Sequence, residues 1–255
     1  LDVTTLHLDM DVGIDFRQQV QKLLELCSRH GVPVVPRGAG TGLSGGARPL
    51  DEGLLLSLAR LNRIISIDAD NGTATVQPGV RNIAISEAAK PHGLYYAPDP
   101  SSQIACTIGG NVAENSGGVH CLKYGLTVHN IRKLRIITME GEMLTIGSDA
   151  LDSPGYDLLA LMNGSEGLLG LIVEITVKLI PIPPVAQAVL AAFDSVEQAG
   201  AAVGAVIAAG IIPAGLEMMD NLSIRAAEDF IHADYPTDAA AIQLSRGGVP
   251  AGCVS

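Results

Sequence analysis

PRGAGTGLSGG, Pro36 to Gly46, is the stretch on which the reading of this chain turns, and TIGGNVAENSGG, Thr107 to Gly118, is its companion about 70 residues later. The first places five glycines in the ten residues after Pro36, and the second places four in twelve. Glycine takes φ > 0 without penalty and lets a ligand or another backbone come close. Successive N–H groups in such a loop form a concave nest for anions. Two such loops suggest a long phosphate-containing ligand held by main chain along much of its length. A P-loop needs Gly-Lys-Ser/Thr at its end, but Gly46 is followed by Ala47 and Arg48. A Rossmann fingerprint needs a helix after the glycines and an acid about 20 positions on. Gly38, Gly40 and Leu43 nearly imitate its spacing. The loop leads instead into Pro49, Asp51-Glu52-Gly53 and the run Leu54-Leu55-Leu56, a turn entering a strand, and Leu58 stands where the acid belongs.

Five ordered segments extend the pattern: VPVVPRGAGTGLSGGA (Val32 to Ala47), YAPDPSS (Tyr96 to Ser102), TIGGNVAENSGG, KYGLTVHN (Lys123 to Asn130) and GSEGLLG (Gly164 to Gly170). Together they resemble the PCMH-type FAD-binding domain of the vanillyl-alcohol oxidase and para-cresol methylhydroxylase family. The nearest branch contains the FAD subunit of glycolate oxidase with the D-lactate and D-2-hydroxyglutarate dehydrogenases. The resemblance runs from about Cys27 to Leu244. It implies an α+β fold: an FAD-binding domain over 1–181, in two α+β subdomains of about 1–60 and 61–181. The start of a ferredoxin-like cap, the substrate domain, comes next over 182–255, with a tail at 245–255 unlike the family.

The resemblance also implies the cofactor, FAD, and its contacts. The first loop would supply Pro36, Arg37, Gly38, Ala39, Gly40, Thr41, Gly42, Leu43 and Ser44. YAPDPSS would supply Pro98, Asp99, Ser101 and Ser102. The second loop would add Thr107, Gly109, Gly110, Asn111, Ala113, Asn115, Gly117 and Gly118. Tyr124 and Gly125 come from KYG, Glu166, Gly167 and Gly170 from GSEGLLG, and Ile172 lies just beyond. Plainer readings stand beside these. The glycines could form tight turns, Asn111 and Asn115 could be turn residues, Glu166 a solvated acid and Tyr124 a core aromatic. Cys106 and Cys121 read as buried small hydrophobes, and His120 and His129 as structural. Thr41 stands where some relatives carry a His joined covalently to flavin, so non-covalent FAD is expected, although Cys106 leaves a second attachment chemistry open. Leu168 replaces the usual Thr of GSEGLLG.

Composition fits an enzyme domain. The 255 residues are 47% hydrophobic, enough for a sizeable core. A net charge of −11 without a Lys/Arg cluster argues against nucleic acid and anionic membrane surfaces. Trp is absent and aromatics are 3%, too few for base-stacking platforms. Cys27, Cys106, Cys121 and Cys253 have no CxxC spacing and read as free thiols of a reducing compartment, with no metal site. Residues 1–15 carry four aspartates and no signal peptide. Ala199 to Leu216 is uncharged, but its Ala, Gly and Pro213 suit a helix from about Val196 to Ala209 rather than a membrane span.

Periodicity predicts helices over Phe16 to Arg29, Asn82 to His92 and Leu222 to Ile231. Strands are predicted at Val32 to Val35, Leu54 to Leu58, Ile64 to Asp68, Thr73 to Val76, Ile131 to Thr138, Met143 to Thr145 and Ile172 to Leu179. Asn71-Gly72 reads as a hairpin turn, and Pro181, Pro183 and Pro184 as a boundary. Val185 to Phe193, the Val196 helix and a strand near Ile211 to Glu217 form a βαβ start. Residues 1–15 lack the entry strand usual in the family.

The activity implied is oxidation of a small 2-hydroxy acid of the glycolate or D-lactate type to the 2-oxo acid, with hydride passing to flavin N5. In the glycolate and D-lactate branch the base is a cap-domain His, and none of the six histidines matches its motif, so the catalytic residues are unknown. The chain reads as a fragment, or one with altered ends, incomplete for turnover. Implied partners are electron-accepting subunits (iron–sulfur or a second flavin subunit) and a second copy of the chain. The implied location is cytoplasmic, peripheral to the inner membrane through those subunits. Two alternatives stay open: a same-fold flavin reductase, and an FAD-binding fragment or subunit without its own catalysis.

Overall fold

A computed structural model describes residues 5–6, 16–150 and 155–249. In chain order the elements begin with β1 (Thr5–Leu6), α1 (Phe16–His30), β2 (Val34–Arg37), β3 (Leu54–Ser57), β4 (Ile64–Asp68) and β5 (Thr73–Val76). They continue with α2 (Asn82–Ala89), β6 (Leu94–Tyr95), α3 (Ile108–Glu114), α4 (Cys121–Tyr124), β7 (Ile131–Ile137), β8 (Met143–Gly147), α5 (Leu158–Met162) and β9 (Leu171–Lys178). The last are β10 (Ile180–Pro181), β11 (Val185–Phe193), α6 (Val196–Ala208), β12 (Gly215–Asp220), α7 (Asn221–Ile231) and β13 (Ala241–Val249). The chain forms two units. One takes Leu1–Gly117 and Leu126–Ile182, the other Gly118–Gly125 and Pro183–Ser255.

The first unit holds two main sheets. A parallel sheet of order β1-β3-β2 carries the first glycine loop between β2 and β3. Its helix, α1, buries Val20, Leu24 and Cys27, spaced four and three apart on one face. Val20 and Leu24 meet Leu56, Leu58 and Leu61, with Ile137, Leu171 and Val173 from the larger sheet, in one cluster. The larger sheet has order β4-β5-β9-β7-β8, with every pairing antiparallel. Its central strand, β9, is LIVEITVK, and six of its eight residues are buried, as a strand covered on both faces requires. Ile85 and Ala89 of α2 and Ile108 and Val112 of α3 share a second cluster with Val76, Leu134 and Ile175 of that sheet. This packing fixes the start of the second glycine segment on a rigid base.

In the second unit β13 runs between β11 and β12 and pairs antiparallel with both. β11 and β12 are therefore parallel to each other with a strand between them, a split βαβ unit around α6. Ser195 caps α6, its hydroxyl accepting from the Gln198 N–H at 3.2 Å, and Asp220 caps α7 by accepting from the Ser223 N–H at 2.8 Å. Among the described residues no helix is long and apolar enough to cross a membrane.

Several expectations need correction. An entry strand does exist: Thr5 and Leu6 pair in parallel with Leu55 and Leu56. A two-residue strand is too short to show periodicity among aspartates; the rest of 1–15 lies outside the described residues. The second glycine segment is helical over Ile108–Glu114 rather than an open loop, because Thr107 begins it in extended backbone and the Asn111 N–H closes the first turn on the Thr107 carbonyl. The strand expected near 211–217 begins at Gly215, past Pro213, which cannot donate a ladder bond. β13 is absent from the expected elements, since Gly247 and Gly248 hide its alternation; it carries on through Ser245 and Arg246 to Val249, beyond the expected start of the tail. Residues 250–255, with Cys253, lie outside the described residues, whereas Cys27, Cys106 and Cys121 are free thiols.

Candidate FAD-binding cleft

The first glycine loop leaves β2 and crosses the start of α3, and the space between them is a cleft of about 310 Å³. Pro36, Gly38, Ala39, Gly40, Thr41, Gly42, Leu43 and Ser44 line one side. Thr107, Gly110, Asn111 and Ala113 line the other, with Ser102 and Glu166. A narrower extension of about 60 Å³ shares Pro36, Gly38, Thr107, Gly110, Ala113 and Glu166, and adds Gly109, Gly167, Gly170 and Ile172. Thus eighteen of the expected contacts gather in one groove.

Small residues are required here by close approach. A Cβ at Gly38 would run into Thr107 Oγ1, and one at Gly42 into the Glu114 carboxylate. At Gly109 a Cβ would meet Pro78 Cβ at 2.6 Å. Gly40 has φ +70, a left-handed backbone that L side chains rarely adopt. Glu166 also has positive φ, 56°, an uncommon choice for a non-glycine residue. It is held there by its N–H, which donates to the Ala113 carbonyl at 2.8 Å, and by the Gly164 N–H donating to the Val112 carbonyl. The GSEG turn is thereby stitched to the back of α3.

The electrostatics of the groove are acidic. Burial pushes the Glu114 carboxyl above its usual range, and the neighbouring Glu166 charge pushes it the same way. Thr107 Oγ1 is buried and has no hydrogen-bond partner among the described residues. A buried hydroxyl left unpaired is costly, and this one lies at the wall of both parts of the groove.

Other expected contacts lie elsewhere. Arg37, Pro98, Asp99, Ser101, Asn115 and Gly117 belong to the first unit but do not line the groove. The side-chain oxygen of Asn115 accepts from the Val128 N–H at 3.0 Å, and its left-handed backbone ends α3, which is the plainer reading of that residue. Gly118, Tyr124 and Gly125 belong to the second unit, where the Tyr124 ring lies 6.2 Å from that of His120. His129 Nδ1 accepts from the Leu126 N–H at 3.1 Å, a structural bond. The groove also uses Gly46, Ala47, Cys106, Glu114 and Ser116, which are not among the contacts expected from sequence. The spacing of Glu114 from Thr107, two helical turns, is the signal that points to it once the segment is read as a helix.

Residues 12–147 match the family model for the FAD binding domain, and 182–246 match that for the C-terminal domain of FAD linked oxidases. The chain belongs to the FAD binding domain family. FAD is the cofactor that goes with this membership. Glycolate oxidase subunit GlcD of Escherichia coli K12 is 70% identical over 227 residues, covering 89% of this chain and 46% of that protein. The subunit of the same name from Bacillus subtilis is 44% identical, covering 89% and 48%. A D-lactate dehydrogenase of Anaerostipes hadrus is 36% identical, covering 87% and 47%. The chain therefore spans about half the length of the curated relatives it matches. Among solved structures, alkyldihydroxyacetonephosphate synthase has the same fold, with a TM-score of 0.79 at 21% identity over 91% of this chain and 45% of that one. The groove fits the family's cofactor: glycines let main chain approach it closely, and the Thr107 hydroxyl at its wall has no hydrogen-bond partner among the described residues.

Proposed function

We propose that the glycine-lined groove holds FAD without a covalent bond, and that the chain is the FAD-binding part of an enzyme oxidising a small 2-hydroxy acid. The observation that carries this is the unpaired, buried Thr107 hydroxyl set between Gly38 and the start of α3. When bound, FAD supplies the hydride acceptor for such an oxidation. The residues of this chain would bind and orient it: main chain of the first loop on one side, Thr107 and the face of α3 on the other. Thr41 lines the groove with a hydroxyl, which forms no covalent flavin link of the kind a His does. Names of the relatives support glycolate or D-lactate as the substrate class and a multi-subunit assembly as the setting. Electron-accepting subunits are the partners we propose, with a cytoplasmic location peripheral to the inner membrane through them.

A second reading, an FAD-holding part without turnover of its own, is favoured by the groove's lining. Among the described residues its titratable side chains are Glu114, Glu166 and Cys106. The two readings separate on anaerobic mixing of the FAD-loaded protein with glycolate, D-lactate or D-2-hydroxyglutarate. Loss of the visible flavin band with one of them supports the oxidase. Bound flavin left unbleached by all three supports the cofactor-holding part.

A further inference from the structure

Asn82, the first residue of α2, joins three pieces of the first unit, two of which line the groove. It is 1% exposed. Its Nδ2 donates to the Pro98 carbonyl at 2.9 Å, and its Oδ1 accepts from Asn111 Nδ2 at 2.9 Å. Its backbone N–H donates to the Cys106 carbonyl at 3.0 Å. Asn111 Oδ1 in turn accepts from the Ser116 hydroxyl at 3.4 Å. Cys106, Asn111 and Ser116 all line the groove; Asn82 does not.

The polarity of this relay is fixed from one end. A carbonyl can only accept, so Pro98 must receive an N–H from Asn82. That turns Asn82 Oδ1 towards Asn111, which must then offer its NH₂. Asn111 Oδ1 is left facing Ser116, whose hydroxyl donates to it. The lone pairs of the Ser116 oxygen are then left to accept from a ligand.

We propose that Asn82 is a positioning residue for the cofactor. It orients the Asn111 amide and the Ser116 hydroxyl so that the Ser116 oxygen accepts a hydrogen bond from a donor group of FAD, a sugar hydroxyl or ring N–H. It also ties the Pro98 turn to the same frame. The inference rests on the reading of the groove as the FAD site.

The test uses wild type, Asn82→Ala, Asn82→Ser, Asn111→Ala and the Asn82→Ala/Asn111→Ala double variant. FAD affinity, the visible spectrum of bound flavin and the melting temperature without FAD are measured for each. Wild type that takes up no FAD overturns the functional reading itself, whatever Asn82 does. With wild type binding, Asn82→Ala is expected to weaken FAD about tenfold and shift the flavin band. The double variant should be little weaker than either single one, because both act through one relay. A folded Asn82 variant with a lower melting temperature but FAD affinity within about twofold of wild type and an unchanged spectrum shows a purely structural residue and overturns the proposal. Fully additive losses at 82 and 111 also overturn it. Should Asn82→Ala not fold, Asn82→Ser decides in the same way, since its shorter hydroxyl keeps a polar group but cannot span both partners.

Discussion

The Thr107 hydroxyl occupies the space that a side chain at Gly38 would need, so these two residues, 69 positions apart in sequence, set how closely the first glycine loop can lie on α3. Gly38→Ala should force the loop away, costing about 1–3 kcal/mol as other overpacking changes do. Adding Thr107→Ala should return most of that stability, because it removes the atom struck. Thermal unfolding of the three FAD-free proteins checks this; a Gly38→Ala protein that melts like wild type would mean the loop does not rest on Thr107.

Thr107→Val separates stability from cofactor binding. Among the described residues the hydroxyl has no partner, and it does not cap α3. Replacing an unpaired buried hydroxyl by a methyl of similar shape is close to neutral or stabilising. The FAD-free variant should therefore melt no lower than wild type, while FAD affinity falls by about tenfold, the value of a lost buried hydrogen bond. A drop in melting temperature with unchanged affinity would assign the hydroxyl to the protein and not to the ligand.

How much of this is legible in sequence depends on what each residue does. The glycines of the first loop stand out because close approach at Gly38 and Gly42 and a left-handed backbone at Gly40 disfavour other side chains, and Gly38, Gly40, Gly42 and Gly46 line the groove. The strands Ile64–Asp68, Thr73–Val76 and Val185–Phe193 fall where alternation and turns put them. Thr5–Leu6, Leu94–Tyr95 and β13 are not legible, since two residues carry no period and β13 owes its position to partners on both sides. Asn82, Glu114 and Ser116 escape for a different reason. Their roles come from a helix–loop arrangement that only tertiary packing creates, and an Asn at the start of a helix looks like any other.

Gly40 and Gly110 should fail in different ways. Gly40 sits at φ +70, so Gly40→Ala is strained by about 1 kcal/mol before any ligand arrives. Gly110 has no such backbone angle, and the nearest atom to a Cβ there is Thr107 Oγ1 at 3.6 Å. Gly110→Val should fold with a melting temperature near wild type yet lose FAD binding, because the new side chain enters the groove. Normal FAD affinity in a folded Gly110→Val protein would place the cofactor elsewhere.

Glu114 gives the groove a pH dependence. Burial and the Glu166 charge raise its folded pKa above 4.5, so the folded state holds this proton more tightly than the unfolded chain. Its contribution is present below pH 4.5 and is lost as pH rises through the raised value. Glu114→Gln should remove that loss, so the variant gains melting temperature relative to wild type as pH is raised from 4.5. FAD, an anion through its phosphates, should likewise bind more tightly on the acid side in wild type and lose that trend in Glu114→Gln. Asp68 and Asp220, held below their usual range by hydrogen bonds from Asn71 and Ser223, act in the opposite direction and are common to both proteins. Parallel pH profiles for the two proteins would remove Glu114 from the groove's electrostatics.

The cofactor assignment is tested most directly by titrating the purified protein with FAD, following quenching of flavin fluorescence, and then denaturing and filtering the complex. Expected are saturable uptake of one FAD per chain and complete recovery of intact FAD in the filtrate. Protein that takes up no FAD contradicts the assignment of the groove, and flavin that stays with the precipitated polypeptide contradicts its non-covalent attachment.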